Sequence, residues 1–269
     1  MDFFTSRTVE DIRQCVNRQL DINKRNNLNR TPFIHHCRRD DKKLAFELIR
    51  QGCDVTLKTP HGHNGLVYAC LSGNLDFVEE LMSISEVCST LTVNCLLASS
   101  VHGHIDVFDF LVRKNSSLVD QQSDNGFSPL MIACQNRQLD IVDRILQHSV
   151  NVNQQDHFGR TALHYLSCTL HGPDISDMKS RDTKEYRTAI SDRLFMYGAD
   201  CNIESAMGNT PLHTASENGF VDLVEKFINY GANVNASSSF KICPDGMTPL
   251  AMAKTKEIRR LLKAAGGHY

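Results

Sequence analysis

The feature that constrains this chain most is its self-similarity. With Thr210 as reference, equivalent positions fall at Thr31, Asn64, Asn94, Ser128, Thr161 and Thr248, at separations of 33, 30, 34, 33, 49 and 38 residues. A period of this length means one supersecondary unit written several times, here with two insertions. The unit is clearest in "GNTPLHTASENGFVDLVEKFINYGANVN", Gly208 to Asn235. Thr210 can cap a helix through its side-chain oxygen, and Pro211 suits the first helical position, where an N–H would have no intrahelical acceptor. Leu212 and Ala215 share one face, the small Ala215 lets a neighbouring helix approach, and Asn218-Gly219 ends the segment. Val221, Leu223, Val224, Phe227 and Ile228 then follow at helical spacing until Gly231. The pair is an αα-hairpin. Helices this short cannot bury their apolar faces on each other, so successive hairpins must stack into a solenoid with a shared core.

"TPLHTASENGFVDLVEKFINYGANVN" resembles the ankyrin repeat nearly position for position. Weaker copies begin at Thr31 ("TPFIHHCRRDDKKLAFELIRQGCDV"), Asn64 ("NGLVYACLSGNLDFVEELM"), Asn94 ("NCLLASSVHGHIDVFDFLV") and Ser128 ("SPLMIACQNRQLDIVDRILQHSVNVN"). "TALHYLSC" from Thr161 resumes as "YGADCN". The resemblance implies an all-α ankyrin-repeat solenoid of about seven to eight helix-turn-helix units with β-hairpin-like finger loops. It divides the chain into a partial capping repeat at 1–23, repeats at 24–56, 57–87, 88–120, 121–153, 154–202 and 203–235, and a lengthened finger with a short capping repeat at 236–269. An insertion at 171–187 separates the two helices of the sixth unit. His36 and Leu166 occupy a slot that the family reserves for a small residue. Ser85, Asn115 and Ser149 replace its turn glycine, so irregular fingers are expected over the third to fifth repeats.

Lysine and arginine (29) nearly balance aspartate and glutamate (31), so no whole-molecule field draws in nucleic acid or an anionic membrane. A signal-peptide pattern and an apolar span of membrane length are both lacking, which leads to the expectation of a monomer in the cytoplasm or nucleus without membrane insertion. The ten cysteines are scattered without CxxC pairs and read as free thiols. Cys37, Cys70 and Cys134 recur at one position of the unit, where a compact side chain packs well. The two HGH triplets supply too few ligands for zinc, and no cofactor is expected. His164 and His213 fill the fourth place of the TPLH signature, and the resemblance makes them structural, bonded to neighbouring backbone or threonine. P-loop, GxSxG, GxGxxG and HExxH patterns are lacking, so the chain is not read as an enzyme.

In the ankyrin family, fingers and first helices form a concave face whose variable positions meet a protein partner. Those positions are here Arg30, His35, Arg38, Arg39, His61, His63, Tyr68, His102, Phe127, Gln135, Asn136, Phe158, Arg160, Tyr165, Met207, Glu217 and Asn218. Aromatic and arginine side chains dominate binding energies, which makes Tyr68, Phe127, Phe158, Arg160 and Tyr165 the expected centre. Basic residues gather near the N-terminus (Lys24, Arg25, Arg30, Arg38, Arg39, Lys42, Lys43), interrupted by Asp40 and Asp41. They read as a solvated face or as a receiver for an acidic peptide or terminal carboxylate. The lengthened last finger brings Phe240 and Ile242 to an exposed site. Asn235, in "GANVNAS", resembles finger asparagines that hydroxylases modify, and also suits a structural hydrogen-bonding role.

The leading reading is a non-catalytic interaction module or scaffold for another protein or an extended peptide with an acidic portion. The resemblance implies an alternative, the substrate-receptor subunit of a ubiquitin ligase, since some ankyrin proteins serve that way. It needs an adaptor-docking element, for which "TLTVNCLLAS", Thr90 to Ser99, is the candidate. That stretch superficially resembles an elongin-binding box, with Ser99 where an aliphatic residue is expected. A metal-binding or enzymatic protein is the third.

Overall fold

The computed structural model describes residues 2–169, 183–238 and 247–268. Phe240 and Ile242 lie outside the described residues, as does most of the expected insertion. The chain forms two compact units, Met1–Leu118 and Val119–Tyr269.

The first unit contains α1 (Val9–Asn17), α2 (Pro32–Arg38), α3 (Lys42–Arg50), α4 (Gly65–Ser72), α5 (Leu75–Met82), α6 (Ser85–Cys88), α7 (Val93–His102) and α8 (Ile105–Lys114). The second contains α9 (Pro129–Gln135), α10 (Leu139–Leu146), α11 (Ala162–Leu166), α12 (Lys184–Met196), α13 (Pro211–Asn218), α14 (Val221–Asn229), α15 (Pro249–Met252) and α16 (Lys256–Ala264). A 3-10 turn spans Ser116–Asp120. Among the described residues the fold is all-α, with one isolated antiparallel bridge between Ser238 and Met247.

Short helices start where a side chain replaces the missing intrahelical acceptor. Thr31 accepts from the Ile34 N–H at 3.3 Å and Asn64 from Val67 at 3.0 Å, while Ser128 and Thr248 do the same at 3.4 Å. The third start differs: Thr92, two residues before Asn94, holds the N-cap position of α7, and its side chain makes no cap bond. The hairpin turns need a left-handed residue, supplied by Gly73, Gly103 and Gly219. Asp40 (φ 56°) and Arg137 (φ 58°) hold the same position without being glycine, and other bonds must offset their strain.

The hairpins then stack in two rows. In the second unit α9, α11, α13 and α15 pack side by side, as do α10, α12, α14 and α16; in the first, α2, α4 and α7 form the corresponding row. Ala69, Ala133 and Ala215 sit fully buried where the first helices meet. Behind them Leu48, Phe77, Phe108, Ile145, Leu194, Phe227 and Leu262 are inaccessible to solvent. Each such side chain contributes about 1.5–3 kcal/mol relative to exposure, which lets two-turn helices persist.

His36 fits the small-residue slot because its Nε2–H donates to the Phe3 carbonyl at 2.9 Å, tying the N-terminal turn to α2. Two expectations need correction. Lys184 to Arg187, assigned to the insertion, are the first turn of α12, where Arg187 pairs with the buried Asp222 at 2.8 Å. The irregularity expected from Ser85 and Asn115 is real, since the short α6 follows Ile84 and a 3-10 turn follows Asn115, but the finger turns beyond Asn115 and Ser149 close on backbone bonds. Asn115 leaves its helix with extended backbone (φ −153°), and turns closed by Ser123 N–H to Phe127 O (2.9 Å) and Asp156 N–H to Arg160 O (3.0 Å) come later.

Candidate protein-binding surface

In the second unit the fingers form a bonded row. Each turn closes on a left-handed glycine, Gly126, Gly159 and Gly208. Gln122 Nε2 donates to Gly126 O within its own finger (2.6 Å) and to Gln155 O in the next (2.8 Å). Gln155 repeats this with Gly159 O (2.7 Å) and Glu204 O (3.0 Å), and the Ala206 N–H reaches Phe158 O at 2.8 Å. The finger tips are therefore positioned before any partner arrives.

Asp156 organises the middle finger. Its side chain is shut off from solvent, and its Oδ1 accepts the Phe158 and Arg160 N–H groups at 2.9 and 2.7 Å. Oδ2 accepts from Arg160 Nε (3.0 Å) and from the Tyr165 hydroxyl (2.6 Å). Burial pushes this carboxyl's pKa up, but the bonds from Tyr165 and Arg160 outweigh it and leave the group below 3.8. The guanidinium of Arg160 lies over both the Phe158 ring (5.0 Å) and the Tyr165 ring (4.7 Å). Phe127 meets Tyr165 edge-on at 5.9 Å.

The proposed contact residues thus separate. Phe158 (60% exposed) and Met207 (59%) project from adjacent fingers, with Arg160 and Phe127 half-buried beside them. Tyr165 is 2% exposed and its hydroxyl is held by Asp156, so it supports the surface instead of forming it. Asn136 is likewise buried, its Nδ2 closing α9 on Ile132 O at 2.8 Å. Asn218 Nδ2 donates to Ser167 O (2.9 Å) and Thr214 O (3.1 Å), a packing role. Glu217 is exposed and Gln135 half-buried.

In the first unit, Arg30 stacks over Tyr68 at 5.5 Å and His63 meets the same ring edge-on at 5.9 Å. His61, Arg38 and Arg39 are exposed; His35 and His102 are half-buried. Burial, reinforced by His61, pushes the His63 pKa down. "TLTVNCLLAS" lies in α7 and its approach, with Val93, Cys95, Leu96 and Ser99 buried, so those side chains serve the core of this unit.

The TPLH histidines are structural. Nδ1 of His213 accepts the Thr210 N–H at 3.1 Å, and Nε2–H donates to Met247 O at 2.9 Å. Both ring nitrogens are consumed. Cys37 and Cys134 are fully buried, and burial pushes the Cys134 thiol up to about 12. Among the described residues no three His, Cys, Asp or Glu side chains converge as metal ligands. Asn235 bonds Gly266 O through Nδ2 (3.1 Å) and accepts the His268 N–H (3.0 Å).

Arg137 belongs to no motif in the sequence. It is fully buried, and its guanidinium donates to the carbonyls of Cys134, Gln135 and Cys168 at 2.9, 2.9 and 2.7 Å. An arginine at a turn-glycine position was the available signal. The finger ladder was also legible, since Gln122 and Gln155 stand one repeat apart.

A family model for ankyrin repeats in three copies matches residues 95–175 and 184–267, more than half of the chain. The chain belongs to the ankyrin-repeat family. Ankyrin repeats as a class are protein-interaction modules. The ankyrin repeat protein FPV031 of fowlpox virus is 31% identical over 161 residues, 59% of this chain and 42% of that protein. The ankyrin repeat protein nuc-2 of Neurospora crassa is 25% identical over 222 residues, covering 80% of this ankyrin-repeat chain and 19% of its own length. NF-kappa-B inhibitor alpha of Gallus gallus is 27% identical over 161 residues, 56% of this chain and 51% of the chicken protein. The chain thus spans only part of each of these three relatives. Among the described residues no helix is long and apolar enough to cross a membrane.

Proposed function

We propose that this ankyrin-repeat chain is a non-catalytic scaffold or adaptor that holds another protein through its fingers and first helices. The observation that carries this reading is the pair of exposed apolar tips, Phe158 and Met207, on fingers joined by the Ala206 N–H to Phe158 O bond at 2.8 Å. A preformed pair of anchors binds with little ordering cost, and a few buried anchors carry most of the energy of such an interface. Arg160 adds a planar cation whose charge is already balanced by Asp156. The chicken relative bears the name of an inhibitor of another protein, in keeping with binding as the task. The test is affinity capture with wild type beside Phe158→Ala/Met207→Ala. Proteins recovered by wild type and lost from the variant, at an unchanged thermal midpoint, support the reading. Identical capture by both would remove this surface from it.

A further inference from the structure

The first unit gathers at α2 three arginines that lack a carboxylate partner among the described residues. His35, Arg38 and Arg39 stand three and four residues apart and so share a helix face, and Arg30 enters from the finger that precedes it. The carboxylates that interrupt this run in sequence are engaged elsewhere. Asp40 accepts from Asn74 Nδ2 at 3.0 Å, and Asp41 caps α3 at the Leu44 N–H. Glu47 is taken by Arg13 at 2.9 Å, and Glu80 by Lys42. Among the described residues no carboxylate pairs with Arg30, Arg38 or Arg39. His35 responds to this field: burial and then the charges of His36, Arg39, Arg30 and Arg38 push its pKa down, so the arginines hold the charge.

A cleft of about 670 Å³ lies beyond Phe4, with Phe3, Leu20 and Leu28 on its apolar side and Lys24 and Arg25 in its otherwise polar lining. Phe4 connects it to the arginine stripe, meeting the His35 ring edge-on at 5.5 Å. Leu28 (63% exposed) and Leu20 (40%) are its accessible apolar groups. Asp2 and Asp21 also line it, and both are occupied with local turns: Asp2 accepts from Phe4 and Thr5, Asp21 from Asn23. From finger to helix end the stripe is on the order of 12 Å long at a rise of about 1.5 Å per residue, which three or four residues of extended chain cover.

We propose that Arg30, Arg38 and Arg39, with the adjoining cleft, receive an acidic peptide segment that carries an apolar side chain. Arginine forks pair with carboxylates in two-point bonds, and three arginines without a carboxylate partner, near a cleft that exposes Leu20 and Leu28, fit a short segment of glutamates or aspartates flanking a leucine-like residue. The blander roles, Arg38 and Arg39 balancing the carbonyl end of α2 and Arg30 stacking on Tyr68, do not account for the cleft.

The full chain is titrated by fluorescence anisotropy with a labelled peptide of glutamates around one leucine, in about 0.1 M salt, where charges act over roughly 10 Å. The expected result is binding at least about tenfold tighter than that of the glutamine counterpart, weaker binding when the peptide's leucine is replaced by alanine, and loss of the glutamate preference in Arg38→Gln/Arg39→Gln. Arg259→Gln/Arg260→Gln removes equal charge from the exposed face of α16 and should retain the preference. Equal loss in both double variants, equal binding of the glutamate and glutamine peptides, indifference to the leucine, or tighter binding of a single-stranded RNA of matched charge would overturn the proposal. The finger surface at Phe158 and Met207 is tested by a different variant, so either site can fail alone.

Discussion

The Thr161 N–H donates to Nδ1 of His164 at 3.1 Å, which leaves the ring proton on Nε2, where it meets the Asn209 carbonyl at 2.8 Å. One side chain thus caps its own helix and fixes the finger that follows, and it does so only as the neutral ring.

That neutrality makes stability depend on pH. Burial pushes the His164 pKa down to about 4, against an ordinary 6.5. Between these values the unfolded chain binds a proton that the folded chain refuses, so the contribution is complete above pH 6.5 and is lost as pH falls towards 4. The loss is on the order of 3 kcal/mol. His164→Gln should be less stable at neutral pH yet show a flatter thermal midpoint across this window; a midpoint as steep as that of wild type would contradict the assignment.

Tyr165 should behave as a core residue. Tyr165→Phe gives up one hydrogen bond to a carboxylate and is expected to cost about 1.5–3 kcal/mol in urea denaturation. Partner capture should persist. Tyr165→Ala adds a cavity and should cost about 3–5 kcal/mol. Because Asp156 is held below 3.8, with burial opposed by the bonds from Tyr165 and Arg160, its contribution is present above 3.8 and fades below it. Asp156→Asn should remove that part of the acid unfolding limb.

Two glycines separate backbone strain from crowding. Gly159 (φ +73°) would place a Cβ 2.7 Å from the Ala206 nitrogen, whereas Gly198 (φ +84°) has nothing within 4 Å of that position. Gly198→Ala should cost about 1–2 kcal/mol, the left-handed penalty alone. Gly159→Ala should cost more and should weaken capture at Phe158, because the displaced backbone is the one that fixes the finger. Equal costs would show that the finger yields freely.

The asparagine ladder offers a fourth test. Asn153 Nδ2 donates to Gly198 O at 2.9 Å, Asn202 Nδ2 to Gly231 O at 3.2 Å, and Asn202 Oδ1 accepts the Asn233 N–H at 2.7 Å. Asn202→Ala should lower stability by about 0.5–1.5 kcal/mol per bond lost, tempered by solvent access. Hydrogen exchange should speed at Asn233 ahead of the helices; uniform acceleration would mean global loss instead.

The all-α hairpin repeat is legible from the residues alone, because caps, prolines, turn glycines and helical spacing are local and recur at a fixed period. Repetition at one unit position marked Cys37 and Cys134 as packing residues, and the resemblance to the ankyrin repeat implied a structural role for His164 and His213. Tertiary structure decided which variable residues face solvent. Tyr165 and Phe158 are equal candidates in sequence, yet Tyr165 in α11 is buried, with its hydroxyl on Asp156, while Phe158 on the finger stays exposed. Arg137 likewise reaches the Cys168 carbonyl, and Asp40 beside Arg39 turns to Asn74, through contacts roughly one repeat away. Such pairings depend on how hairpins stack, and a linear pattern of polar residues carries no record of which partner each will meet.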